Sequence, residues 1–261
     1  MANPTYQSGF YAPGRGTAKY PALWDGCVGA WDPGLGNTGL VLRDWSSGQN
    51  NGTLTNGPTW GVSDGRQALS FDGSNDYVTI APSIILNDCT ASVWVNPSIY
   101  TAYASVLNND FNGQGGLQIG WSGTTNKFMG GVKTTSFPYG SVASQASTLG
   151  RLTHLVLTRT GTANLIYVDG IAGVVKTGGS GATTLNRAWT IGTTAVGVLP
   201  FTGSIYDIAV FDRVLSYSEI KLLGTRPDIA YELAPRKFYS LPAVATSRQY
   251  RLFRPAILRG A

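Results

Sequence analysis

FTGSIYDIAVFDRVLSYSEIKLL, residues 201–223, begins with one periodicity and ends with another. In SIYDIAVF, residues 204–211, alternation sets Ile205, Asp207, Ala209 and Phe211 on one face and Tyr206, Ile208 and Val210 on the other. Both sets are apolar enough to be covered, which leaves Asp207 as the position that must be wet or hydrogen-bonded. The pattern then changes. Ser216 stands three residues before Glu219, ahead of Ile220, Leu222 and Leu223, and Gly224 follows. That order predicts a short helix with a capping box at its start and a glycine at its stop. A strand covered on both faces, followed by one short helix, calls for a sheet inside a layered β domain.

Upstream the same habit recurs. CVGAW, ALSF, YVTI, TASVWV, YASVL, LQIGW, LIYV and WTIG are short strand signals, separated by DPGLGNTG, DGSND, NNDFNGQGG and DGIAG. HLVLTRT alternates His154, Val156 and Thr158 against Leu155, Leu157 and Arg159. No blade or solenoid period is visible. The expectation is an all-β chain: an antiparallel β-sandwich over 21–224 with one short C-terminal helix. Residues 1–20 read as an extended N-terminal arm, and 225–261 as a basic C-terminal arm containing Pro and aromatics.

Of 261 residues 34 are Gly and only 13% are charged, a composition suited to short strands and tight turns. Residues 226–261 carry seven basic and two acidic groups, so the formal charge of +5 resides there and the body is neutral. No apolar run approaches the ~20 residues of a membrane-spanning helix. The opening MANPTYQSGFYAPGRG has neither a basic n-region nor an apolar h-region, so synthesis in a cytoplasm without export is expected. Cys27 and Cys89 are accordingly expected as buried thiols.

GCVGAW, LRDWSSGQNNGTL, ALSFDGSNDYVTI, ASVWVNP, LTHLVLTRTG, IYVDG, WTIG and FTGSIYDIAVFDRVLSYSEIKLL, in that order, resemble the LamG-like jelly roll. This is the laminin-G and pentraxin branch of the concanavalin A-like lectin/glucanase superfamily. The likeness covers about 21–224 and implies a fold that hosts lectins, adhesion modules, glycosidases and structural parts. One departure is Arg151-Leu152-Thr153-His154 where such proteins often carry Trp-His-His; only the last position matches. A narrower resemblance, to LamG-like proteins of tailed bacteriophages, rests on AKYPALWDGCVGAW, GLGNTGLVLRDWSSGQNNGTL and LAPRKFYSLPA.

Candidate chemistry is thin. Glycoside hydrolysis needs two carboxyl groups about 5–10 Å apart. The chain has two glutamates, one the capping Glu219 and one Glu232 in the tail, and no acid-x-acid strand. His154, the single histidine, reads as a sheet residue rather than a base, and the isolated cysteines lack zinc spacing. No enzyme is expected. Calcium, which the resemblance implies at the sandwich rim, would find oxygens at Asp44 with Asn50 and Asn51, or at Asp72 with Asn75 and Asp76; Asp and Asn there also read as turn-formers, and no metal ligand is assigned. For a glycan, Trp60, Trp121 and Tyr139 are the stacking candidates, with Trp45 and Phe137 beside them, although aromatics in this composition more often fill a core.

The C-terminal arm mixes Arg236, Phe238, Tyr239, Tyr250, Arg251, Phe253 and Arg254 with prolines that forbid a regular helix. Such a segment can anchor aromatics and fork arginines onto carboxylates of a neighbouring subunit. Its charge is too dilute, and too free of recognisable motifs, to suggest nucleic acid. With the phage resemblance, this predicts a non-enzymatic virion protein. It would be a capsid decoration, cement or head/tail appendage, with arms that hold it to capsid or tail subunits and to copies of itself. The alternative is a glycan-binding adhesin or receptor-binding module using the rim loops.

Overall fold

The computed structural model describes residues 18–35, 39–81, 86–109, 116–123, 125–133, 141–143, 145–177, 188–194 and 198–234. The strands of the first half are β1 (Cys27–Trp31), β2 (Val41–Leu42), β3 (Gly52–Thr55), β4 (Thr59–Ser63), β5 (Arg66–Asp72), β6 (Tyr77–Ile80), β7 (Cys89–Pro97) and β8 (Ser105–Asn108). There follow β9 (Gly116–Trp121), β10 (Phe128–Lys133), β11 (Ser141–Val142), β12 (Thr153–Thr160), β13 (Ala163–Val168), β14 (Ile171–Ala172) and β15 (Lys176–Thr177). The last are β16 (Trp189–Ile191) and β17 (Thr202–Phe211), succeeded by helix α1 (Tyr217–Leu223).

They form two antiparallel sheets. Nine strands run β14-β13-β12-β7-β17-β5-β4, with β1 also on β17 and β15 on β13. Eight run β11-β10-β9-β8-β16-β6-β3-β2. Between the sheets Trp31, Val93, Trp121, Phe128, Leu157, Trp189, Phe201 and Val210 are among the side chains of one closed core. A second apolar layer lies outside the nine-stranded sheet. There α1 and its neighbours place Ile220, Leu223, Ile229 and Tyr231 with Leu23, Trp24, Val156, Ala209 and Phe211. The predicted all-β sandwich with one short helix is therefore observed.

Local details explain the elements. Ser216 and Glu219 make the reciprocal capping box of α1, and Arg213 forks onto both Glu219 oxygens at 3.1 and 2.6 Å. Asp169 and Gly170 take positive φ in the two-residue turn that joins β13 to β14, as DG turns do. Cys27 and Cys89 are both buried free thiols.

Two expectations are corrected. The strict alternation read in SIYDIAVF fails at a bulge, because Ile205 pairs Val95 while Ile208 pairs Val93, so three steps on β17 match two on β7. The extra residue turns Ile205 to the same side as Ile208 and Val210, in the inter-sheet core. Ala209 and Phe211 still share the opposite face, but without Ile205. The arm boundaries also move. Ala18 bridges Leu233, Lys19 N donates to Glu232 O at 2.7 Å, and Ile229, Ala230 and Tyr231 are buried. Residues 18–20 and 225–234 thus belong to the packed body, held by apolar contact that no period in the sequence announces. The rest of both arms, including Arg236, Phe238, Tyr239, Tyr250, Arg251, Phe253 and Arg254, lies outside the described residues.

Candidate functional site: the outward face of the eight-stranded sheet

Residues directly opposite one another in an antiparallel pair share a face. One register across the eight-stranded sheet links Leu54, Val78, Ile191, Leu107, Ile119 and Gly130, and its side chains enter the core. The adjoining register links Thr53, Thr79, Thr190, Asn108, Gln118 and Gly131 and therefore points outward. Six strands contribute to this row, and it contains hydroxyls and amides without a charge. Thr53 is exposed and Thr79 and Gln118 are half-exposed, while Asn108 and Thr190 between them are buried. The row is sunken in the middle and open at its shoulders.

The middle has unused hydrogen-bonding capacity. Thr190 Oγ1 donates to Thr193 O at 2.8 Å, but Asn108 Oδ1 has no partner. Neither has Ser105 Oγ, on the next outward pair with Gly120. Buried polar atoms left unpaired cost stability, and both of these are covered, so the part of the row that meets solvent is Thr53, Thr79 and Gln118. Sequence reasoning missed these residues, because the row exists only once β16 is inserted between β6 and β8.

The sequence-derived aromatics fare differently. Trp121 is not a surface platform: it is fully buried, stacked on Phe201 at 5.6 Å and tilted against Phe128 at 4.7 Å. Trp60 is half-buried on β4, packs against the core and donates its indole N–H to Gly39 O at 2.7 Å. Tyr139 lies outside the described residues. The three are not brought together.

The candidate calcium oxygens of the first loop are occupied from within. Asp44 Oδ1 accepts from Ala30 N and Ser46 N at 2.9 and 2.8 Å, and Oδ2 from Ser46 Oγ and Asn50 N at 2.9 and 2.7 Å. Asn51 Oδ1 accepts from Asp44 N. The second loop does the same on a smaller scale, with Asp76 Oδ2 accepting from Asp72 N and Asp72 Oδ1 from Ser74 N. Among the described residues no group of three or more His, Cys, Asp or Glu side chains could hold a metal ion.

Two other polar groups are enclosed. His154 Nε2 lies 2.8 Å from Ser92 Oγ, the ring is fully buried, and burial pushes its pKa down to about 3. A Ser–His pair without access to solvent cannot meet a substrate. The second group sits where β17 exchanges neighbours, β5 beside its first half and β1 beside its second. Trp31 pairs Ile208, so the next step of that register sets Asp32 against Asp207. Burial pushes Asp32 up to about 7, and burial together with Asp32 pushes Asp207 upward as well. Asp228 N donates to Asp207 Oδ2 at 3.2 Å, and the Asp228 carboxylate is held by Arg66 and Arg226 at 3.2 and 3.1 Å. These carboxyls fasten 225–234 to the sheet.

A family model described as Laminin_G_3, Concanavalin A-like lectin/glucanases superfamily, matches residues 72–221. No curated protein matches the chain. Among solved structures, domain 4 of AbnA, a GH43 extracellular arabinanase from Geobacillus stearothermophilus, in complex with arabinotriose, is similar with a TM-score of 0.64 and 17% identity. The match covers 82% of this chain and 99% of that one. The binding domain of Paraclostridial Mosquitocidal Protein 1 gives 0.62 and 14%, over 77% of this chain and 52% of that one. Trypanosoma rangeli sialidase in complex with the inhibitor DANA gives 0.56 and 17%, over 76% of this chain but only 32% of the sialidase. At these identities the likenesses show the fold alone, a lectin-like jelly roll. With the family model matching more than half its length, and the two-sheet architecture that accompanies it, the chain belongs to the concanavalin A-like lectin/glucanases superfamily.

Proposed function

We propose that the protein is a non-catalytic carbohydrate-binding module whose ligand is a neutral polysaccharide laid across the outward face of the eight-stranded sheet. The observation that carries this reading is the uncharged outward row of the eight-stranded sheet, in which Thr53, Thr79 and Gln118 reach solvent. Amides and hydroxyls match sugar hydroxyls as donors and acceptors. A row without a cation gives a sialic or uronic carboxylate no ion pair. The arabinotriose complex of the similar AbnA domain supports the ligand class by analogy of fold.

Affinity electrophoresis against neutral and acidic polysaccharides tests it. Retardation by at least one neutral polymer, lost in Gln118→Ala and Thr79→Arg, is expected. No retardation by any neutral polymer, or equal retardation of the variants, would overturn it.

A second reading is favoured by the charge distribution. Within 225–234 the one cation, Arg226, is paired with Asp228 and Glu232, so that segment adds no positive charge. Residues 236–261 then hold six basic groups and no acidic one. On this reading the same chain is a structural subunit, such as a virion decoration or appendage protein, fastened by that segment to an acidic neighbour. Co-sedimentation of the full chain with particles from its source, lost when the chain stops after Ala234, is the expected result.

A further inference from the structure

We infer that β4 (Thr59–Ser63) is a self-complementary edge through which two copies of this chain join into one continuous sheet about a twofold axis at Gly61. Among the described residues the strand closes the nine-stranded sheet and pairs only with β5. Asp64 and Gly65, both at positive φ, form the two-residue turn between them, which makes Ser63 and Arg66 the closing pair. Directions alternate along a strand, so Thr59, Gly61 and Ser63 aim their backbone groups at β5. Trp60 and Val62 aim theirs outward. Neither outward pair of N–H and C=O groups meets another backbone group among the described residues.

Edges of this kind are ordinarily blunted by a charge, a bulge or an interior proline. TWGVS has none of these. Val62 is 66% exposed, and Leu40, next to the Gly39 that accepts the Trp60 indole, is 68% exposed. Pro58 stands just before the strand and has no N–H to extend an outer ladder, which confines any pairing to these five residues.

The occupant follows from the register. Antiparallel pairing of β4 with itself, centred on Gly61, sets Trp60 opposite Val62 of the second copy, and Val62 opposite Trp60 of the second copy. Both are hydrogen-bonded pairs, and aromatic with β-branched is a favourable cross-strand match. Gly61 then faces its own copy as the close, non-hydrogen-bonded pair. Trp60 is already fixed by its bond to Gly39 O, so its ring loses little freedom on pairing. The nearest carboxylate, Asp64, accepts from Asn96 Nδ2 and Tyr206 Oη, side chains of β7 and β17 on the β5 side of the strand and not at the seam. Four hydrogen bonds over five residues make a contact below the ~800 Å² per partner of strong dimers. Association is therefore concentration-dependent. Core-facing residues meet core-facing residues, so the axis is perpendicular to the sheet and both eight-stranded faces look the same way. Such a pair would engage one polymer at two sites.

The test uses the full chain. Sedimentation equilibrium is expected to show the mass doubling between about 10 µM and about 1 mM, and Val62→Lys, an exposed change, to hold it at the monomer. Gly61→Cys supplies a geometric readout. A Cβ at Gly61 meets only Ser70 Oγ, at 3.7 Å. Close antiparallel pairs put Cα atoms about 4.5 Å apart, within disulfide range. Mild oxidation should cross-link Gly61→Cys, with the yield falling severalfold in the Gly61→Cys, Val62→Lys double variant. The exposed control Thr53→Cys should not cross-link. A monomer throughout the range, doubling that survives Val62→Lys, or equal cross-linking of Thr53→Cys would each overturn the inference.

Discussion

The imidazole of His154 lies against the indole of Trp94, ring centroids 4.8 Å apart and planes 26° from parallel. Burial holds it neutral, with a pKa near 3 against an ordinary value of 6.5. Between those values the unfolded chain binds the proton and the folded chain does not, so this residue's contribution is intact above pH 6.5 and is lost as pH falls toward 3. Asp32 has the opposite sign. Its folded pKa near 7 lies above the ordinary 3.8, so its contribution is complete below 3.8 and is lost as pH rises toward 7. From about pH 4 to 6.5 the two slopes oppose.

Removing one therefore exposes the other. Asp32→Asn keeps an oxygen for Gly34 N, and relative to wild type it should gain stability by about 1 kcal/mol per pH unit between pH 4 and 7. His154→Gln should instead gain relative stability as pH falls from 6.5 to 4, whatever its constant packing loss. Urea midpoints measured at several pH values give both slopes, and parallel curves for either variant would contradict the corresponding assignment.

Asp44 accepts four hydrogen bonds, which fill the ~four lone-pair positions of a carboxylate. Asp44→Ala should cost about 3 kcal/mol or more by stranding those donors, and Asp44→Asn less. Because both Asp44 oxygens are used in this way, calcium should not shift the melting temperature through Asp44. A calcium-dependent rise abolished in Asp44→Asn would show otherwise.

A chain stopped after Gly224 loses Ile229, Ala230 and Tyr231, the last of which meets Trp24 edge-on at 5.3 Å. Its loss should exceed about 5 kcal/mol relative to a chain stopped after Ala234, which keeps all three. Thermal melts of the two truncations decide this.

Arg213 donates to Asp25 O at 2.6 Å, to Ala22 O at 2.9 Å and to both oxygens of Glu219. A lysine cannot reproduce that fork. Arg213→Lys should cost about 2 kcal/mol at neutral pH. Chiefly through Arg213, the Glu219 carboxyl is lowered to about 2, so its contribution stands above 4.5 and is lost as pH falls toward 2. Acid titration of the variant should show a weaker loss below pH 4.5 than wild type.

Much of this was legible in local sequence. The faces of HLVLTRT, the box around Ser216 and Glu219, and the DG turns are decided within a few residues, and they stand as read. What escaped depends on distant partners. The bulge in β17 lies opposite Trp94 on β7, where β5 gives way to β1 as the neighbour, and none of these partners leaves a mark in SIYDIAVF. Trp121 resembled a loop aromatic because its buriers, Phe128 and Phe201, come from separate strands and loops. The polar row of Thr79, Thr190 and Asn108 joins residues up to 111 positions apart, and alternation within a strand says only that each points somewhere.

The bridge between Ala18 and Leu233, with its ion pair of Lys19 and Glu232 at 2.7 Å, sets the first and last described stretches of the chain side by side. Tension applied through both flanks would then peel a single short ladder open from its end and would not shear the sandwich. Under such force the first thing to yield would be that one clasp, and the sandwich behind it would carry little of the load.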